Sequence, residues 1–353
     1  MSTAHNIYIH VPFCVKKCNY CAFFSHACAA PDWDAYKNQI TSEIRHWRRK
    51  IGNVAVPTIF FGGGTPSLMP AAVFGNIMDE LRANFDVVSD AEITIEANPG
   101  TIDINKLNEF CAMGVNRLSV GVQSFDDARL KFLGRIHSAN DARRLLDSAL
   151  ERGIRVSADF IYGLPGDSVK DVTRMCDQIN QIGISHCSLY ELTIEKDTSF
   201  GKMNLNMPGN EIMAEMYNAI SKTLKLKLAR YEVSNYATPG DECRHNMNVW
   251  DGEPYIGIGP GAAGRIFMDG VWYEELGAGK MFSPITNECR AMERVITGLR
   301  TMRGVRMDSD VEKIINLEFA KSHPDMLTFV GDRIAATDAG IMVLDNLLTK
   351  LVK

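Results

Sequence analysis

Six short runs rich in β-branched and aromatic residues, each followed by a helical segment, constrain this chain more than any other feature. They lie at 7–11, 58–61, 92–96, 117–122, 155–161 and 187–192. The first helical segment carries Trp33, Tyr36, Ile40, Ile44 and Trp47 at intervals of three or four, behind Pro31 and Asp32, which is the stripe and start signal of an amphipathic helix. Segments 70–81 and 141–150 read the same way, with Gly153 stopping the latter. Strand–helix repetition implies a parallel sheet with crossover helices, as an open doubly wound sheet or as a complete or partial barrel. In either form the chemistry gathers at the carboxyl ends of the strands. Pro12-Phe13-Cys14, Gly62-Gly63-Gly64-Thr65-Pro66, Asn98-Pro99-Gly100, Gln123-Ser124 and Tyr162-Gly163-Leu164-Pro165-Gly166 all fall just past a strand. The special residues therefore converge on one rim.

Beyond about residue 191 the rhythm loosens. A helix at 210–228 leads to 231–235, then to a stretch rich in glycine and aromatics, then to helices at 288–300, 309–319 and 337–351. The expected organisation is a core barrel over 1–235, an irregular extension over 236–283, and a small helical, winged-helix-like domain over 284–353. Winged helices often read DNA, but residues 300–353 carry eight Lys/Arg against eight Asp/Glu, and the whole chain has a net charge of −5. That balance argues against a nucleic-acid partner and for a structural or docking role. No apolar run approaches the roughly 18–20 residues of a membrane span, and the first residues lack the basic and apolar regions of a signal peptide. The expected location is the cytoplasm.

Nine cysteines make an odd count for a disulfide framework and suit a metal site plus free core thiols. Cys14-x-x-x-Cys18-x-x-Cys21 is the sharpest signal. A [4Fe–4S] cube normally takes four thiolates. Three leave one iron open to the amine and carboxylate of S-adenosylmethionine, whose sulfonium bond one electron can cleave to a 5′-deoxyadenosyl radical. Lys16 and Lys17 offset cluster charge, and Tyr20 stands where a ring covers the cluster or stacks on adenine. A zinc knuckle is the competing reading, but zinc usually needs a second ligand pair of similar spacing, and none follows nearby. Cys28 reads as a bystander.

The string from Tyr8 through Cys14, Cys18 and Cys21 to Phe23, with Phe60-Phe61-Gly62-Gly63-Gly64-Thr65-Pro66-Ser67, Gly121-Val122-Gln123-Ser124-Phe125, Asp159-Phe160-Ile161-Tyr162-Gly163-Leu164-Pro165 and His245-Asn246, resembles the oxygen-independent coproporphyrinogen III oxidase-like branch of the radical SAM superfamily. Within it the chain looks most like the heme chaperones of the HemW type. The resemblance implies an α/β fold: a partial (β/α)6 TIM-like barrel with a small C-terminal domain. It assigns Cys14, Cys18 and Cys21 to the cluster. It assigns Tyr8, Tyr20, Gly63, Gly64, Thr65, Glu96, Gln123, Arg135 and Asp159 to S-adenosylmethionine or a second ligand.

The residues themselves agree in part. Bare backbone at Gly63-Gly64 lets peptide groups reach a ligand, although a phosphate-binding nest is a weaker alternative. A buried Asp159 needs a partner, and an inward Arg135 is expected to supply it or to grip a ligand carboxylate; ordinary barrel salt bridges are the competing reading. Gly259-Pro260-Gly261-Ala262-Ala263-Gly264 mimics a dinucleotide fingerprint, but a strand and turn follow it rather than a helix.

Decarboxylating members of the branch carry a fourth cysteine where this chain has Phe23, and a longer N-terminal extension than the thirteen residues before Cys14. Both features favour a heme chaperone over a coproporphyrinogen III dehydrogenase. The family's His-Asn-x-x-Tyr-Trp motif stands here as His245-Asn246-Met247-Asn248-Val249-Trp250, with valine for tyrosine. Ala263 stands where relatives commonly have histidine. His245 is the expected heme contact, with a hydrogen-bonded structural histidine as the alternative and Cys243 as a weaker candidate. The implied partners are heme, hemoprotein acceptors and an electron donor for the cluster; a dimer is left open.

Overall fold

The computed structural model describes residues 4–276 and 281–353. Six parallel strands form its centre: β1 (Asn6–Val11), β2 (Ala55–Gly63), β3 (Asp86–Ala97), β4 (Arg117–Gln123), β5 (Arg155–Tyr162) and β6 (His186–Glu191). Each pairs in parallel with the next, in sequence order. A doubly wound sheet would reverse its strand order at a switch point. Unbroken order with a helix after each strand winds one way instead, as in a barrel. The sheet keeps two edges and is thus a partial barrel.

Period-two alternation decides what lies inside. Ile7, Ile9, Ile59, Phe61, Ile93, Ile95, Leu118, Val120, Val156 and Phe160 point outward and are buried beneath the helices in one large core. Helix α1 (Trp33–Ile51) buries Tyr36, Ile40, Ile44 and Trp47 there. The alternate positions are polar: Glu92, Thr94 and Glu96 in β3, Ser119 in β4, Ser157 and Asp159 in β5, His186 and Ser188 in β6. A polar interior surrounded by an apolar shell makes the barrel a chamber.

The stretch 236–283 is not the irregular extension expected from sequence. Strand Tyr255–Ile258 pairs in parallel with β1, and strands Ala263–Met268, Val271–Leu276 and Met281–Ile285 continue the sheet antiparallel. Residues 277–280 of that stretch lie outside the described residues. Its glycines, which made it read as loop, are the turns: Gly259, Gly261 and Gly270 all have positive φ. Its aromatics are cross-strand pairs, with Tyr273 stacked on Phe282 at 4.5 Å.

The C-terminal part has its own core around Val295, Leu299, Val311, Ile334, Leu347 and Leu351. It is winged-helix-like, with helices and a three-stranded sheet of Val305–Arg306, Arg333–Ala336 and Leu327–Val330. No helix among the described residues is long and apolar enough to cross a membrane.

Candidate functional site

The three-cysteine loop leaves β1 and is tied down on every side. Phe13–Cys14 pairs in parallel with His26–Ala27. Asn19 donates its backbone N–H to Leu133 O at 3.0 Å and its amide to Phe132 O at 2.8 Å. Lys17 Nζ donates to the carbonyls of Phe23 and Ser25 at 3.1 and 3.2 Å, so it braces the loop. His10 Nε2 lies 2.7 Å from the Phe24 carbonyl. A carbonyl only accepts, so Nε2 carries the hydrogen and Nδ1 accepts from Tyr8 Oη at 3.0 Å. Burial holds the His10 pKa below its ordinary value, in keeping with this neutral tautomer.

The glycine loop packs directly beneath. Gly64 N–H donates to Val11 O at 2.7 Å and Thr65 N–H to Phe13 O at 2.8 Å. A Cβ at Gly64 would lie 2.7 Å from Phe13 O and 3.0 Å from Cys14 Sγ. Gly63 has φ 115°, and a Cβ there would meet the His10 ring at 2.6 Å. Close approach requires glycine at both positions, and backbone freedom requires it at Gly63 as well.

Cys14, Cys18, Cys21, Tyr20, Gly63, Gly64, Thr65, Glu96, Gln123, Arg135 and Asp159 all line one cavity of about 440 Å³. Among the described residues no three His, Cys, Asp or Glu side chains form a group able to hold a metal ion. A cube with one thiolate per iron asks instead for three sulfurs facing a shared space, which this cavity provides. Tyr8 is not in the lining. It stacks on Phe60 at 6.2 Å and acts on the loop through His10.

Four acidic residues line the chamber, Glu96, Asp159, Glu191 and Glu195, and the first two stand on the inward face of the strands. Burial, then the charge of Asp159, pushes the Glu96 carboxyl up to about 8; its Oε2 accepts from Gly63 N–H at 3.1 Å. Burial also raises Asp159, against hydrogen bonds from Ser119 and Ser157 and the charge of Arg117. Two carboxyls sharing a desolvated space favour a cationic ligand. Gln123 sits at a strand irregularity with φ 65°, a conformation that costs a non-glycine residue on the order of 1 kcal/mol.

Arg135 does not meet Asp159 as expected from sequence. Its Nη2 donates to Asn98 Oδ1 and to Gly121 O at 2.8 Å, and its Nη1 donates to Cys18 Sγ at 3.4 Å. Serines satisfy Asp159 instead: Ser119 at 2.9 Å and Ser157 at 3.2 Å. Behind Ser157 come His186 Nδ1 at 2.7 Å and, beyond that ring, Tyr231 Oη at 2.7 Å. Ser119, Ser157 and His186 escaped the sequence reading, which places Asn98 on the rim without a role. Their signal was the alternation of polar residues within apolar strands, which places one polar face inward.

His245 belongs to the other end of the barrel and does not line the cavity. Its Nδ1 is 2.8 Å from Thr58 Oγ1 and its ring packs on Phe60 at 5.2 Å. The helix Arg244–Trp250 closes that end. Glu92, with a fully buried side chain, accepts the backbone N–H groups of Arg244 and His245 at 3.1 and 2.9 Å and pairs with Arg155 at 2.9 Å. Burial opposes its charge, but Arg117, these N–H groups and Arg155 hold its pKa below the ordinary value. Cys243 is wholly buried, with its thiol pushed up to about 12 by desolvation.

A family model described as the Radical SAM superfamily matches residues 8–179. The heme chaperone HemW of Escherichia coli (strain K12) is 39% identical over 269 residues, 75% of this chain and 71% of that protein. HemW of Mycobacterium tuberculosis (strain ATCC 25618 / H37Rv) is 31% identical over 370 aligned residues, 98% of this chain and 94% of its own. The structure of coproporphyrinogen III oxidase (HemN) from Escherichia coli, a radical SAM enzyme, matches with a TM-score of 0.82 at 22% identity, covering 99% of this chain and 90% of that one. At that identity the likeness shows the fold alone.

Proposed function

The chain belongs to the radical SAM superfamily, in the family of the heme chaperone HemW, and on that premise we propose that it is a cytoplasmic heme chaperone holding a [4Fe–4S] cluster and S-adenosylmethionine. Cys14, Cys18 and Cys21 would ligate three irons. The observation that carries the reading is their opening, with Gly63, Gly64, Thr65, Glu96, Gln123 and Asp159, into one chamber. The cluster and S-adenosylmethionine, when bound, supply one-electron cleavage of the sulfonium. The chain's own residues position and shield. The Gly63-Gly64 backbone grants close approach, Glu96 and Asp159 favour cationic groups, and Tyr20, packed beside Leu133, Ile161 and Phe200, excludes water.

Support for heme comes from the surface beside the chamber. Phe23 and Phe24 of the cysteine loop are 70% and 59% exposed, and Val15, Ile136 and Tyr190 are exposed as well. Large apolar side chains grouped on a surface mark binding, and a flat macrocycle fits such a rim. His245, committed to Thr58 and Phe60, is not assigned to heme.

Anaerobic reconstitution followed by heme titration and mixing with an apo-hemoprotein tests the reading. Saturable heme uptake with transfer to the acceptor is expected, and Cys18→Ser loses the iron–sulfur cluster. Conversion of coproporphyrinogen III to protoporphyrinogen IX by the reduced, S-adenosylmethionine-loaded protein would overturn the chaperone reading in favour of a dehydrogenase.

A further inference from the structure

We propose that Arg135, acting directly and through Asn98 and Thr65, sets the reduction potential of the cluster, an inference that rests on the cluster reading above. The guanidinium donates from Nη1 to Cys18 Sγ at 3.4 Å. From Nη2 it donates to Asn98 Oδ1. Asn98 Nδ2 donates to Thr65 Oγ1 at 3.0 Å, and Thr65 Oγ1 donates to Cys14 Sγ at 3.5 Å. One cation thus feeds two of the three sulfurs, and every donor in the chain points toward a sulfur. The Sγ atoms are thiols here and stand in for thiolates, which accept such bonds more strongly.

The surrounding fold holds this arrangement in place. Gly134, at φ 79°, turns the backbone out of the helix Asp127–Leu133 just before Arg135. A Cβ on Gly121 would sit 2.8 Å from Asn98 Oδ1 and 3.2 Å from Arg135 Nη2, so glycine leaves the guanidinium its seat. Cys18, Thr65, Asn98 and Arg135 line both a crevice of about 10 Å³ and the wall of the main chamber. A guanidinium at hydrogen-bond distance from Cys18 Sγ acts on that sulfur at short range. Hydrogen bonds and positive charge at cluster sulfurs stabilise the more negative, reduced state and raise the potential. Its Nη groups are spent on Cys18, Asn98 and the Gly121 carbonyl, while Nε stays without a hydrogen-bond partner among the described residues.

Wild type, Arg135→Gln, Arg135→Lys and Thr65→Val are reconstituted anaerobically with iron and sulfide. Each is then titrated without S-adenosylmethionine, with mediators, following the reduced-cluster EPR signal. Expected are equal iron contents and a midpoint potential that falls most in Arg135→Gln, less in Thr65→Val and least in Arg135→Lys, which keeps the charge. Equal potentials in all four overturn the proposal and leave the cluster reading standing. A wild type that assembles no cluster removes both. If Arg135→Gln fails to assemble, Thr65→Val decides alone, an unchanged potential there being the refuting result.

Discussion

Replacing Glu96 by glutamine flattens the pH dependence of the ligand-free protein's stability. The Glu96 carboxyl rises from its ordinary 4.5 to about 8 in the folded chamber, because burial and then Asp159 oppose its charge. Below the unfolded value both states hold the proton and nothing is lost. As pH rises from there toward about 8, the unfolded chain has released a proton that the folded chain keeps, so stability falls, and above about 8 the loss is complete. At about 1.4 kcal/mol per pH unit the window is worth at most roughly 5 kcal/mol. Glu96 is only half-buried, and solvent screening brings this to about 2 kcal/mol. Glutamine keeps an acceptor for Gly63 N–H and has no proton to lose. Urea unfolding of cluster-free wild type and Glu96→Gln, at about pH 5 and about pH 9, reads the difference directly, with wild type losing about 2 kcal/mol more than the variant. Identical pH profiles would refute the claim that the chamber penalises a carboxylate.

Other perturbations follow from single contacts. Gly64→Ala drives a Cβ against Phe13 O and Cys14 Sγ, costing about 1–3 kcal/mol and lowering iron content after reconstitution; wild-type iron retention would contradict it. Glu92→Ala strips Arg155 and two backbone N–H groups of the helix Arg244–Trp250 of their buried partner and costs about 3–5 kcal/mol in urea unfolding, with Glu92→Gln milder. His245→Ala loses about 2–3 kcal/mol through the lost Thr58 bond and the space left against Phe60. The Soret band of its heme-loaded form stays that of wild type, and an altered band would restore His245 as a heme ligand.

Much of this architecture was legible in the sequence because local signals agreed with it. The stripe Trp33–Tyr36–Ile40–Ile44–Trp47 gave α1, and the Cys14-Cys18-Cys21 spacing with the Gly63-Gly64 loop marked the rim. Pairings across the barrel were not legible. Whether Arg135 meets Asp159 or Cys18 depends on where the chain turns at Gly134 relative to β4 and β5, and no local pattern encodes that. The tail misled differently. The run 309–319 carries helical periodicity, yet Ile315 is extended, bridging Val352, and Asn316 starts a new helix by capping Phe319 N–H. Likewise 337–351 breaks at Val343, with φ −126°. Strands Leu327–Val330 and Arg333–Ala336 are short enough to carry almost no alternation.

The central claim, that one chamber holds the cluster and S-adenosylmethionine in contact, is tested most directly by the EPR spectrum of the reduced, reconstituted protein with and without S-adenosylmethionine. The account predicts that adding the ligand shifts the g values of the cluster signal, because it occupies the iron that Cys14, Cys18 and Cys21 leave open. A cluster signal unchanged at saturating S-adenosylmethionine would contradict it.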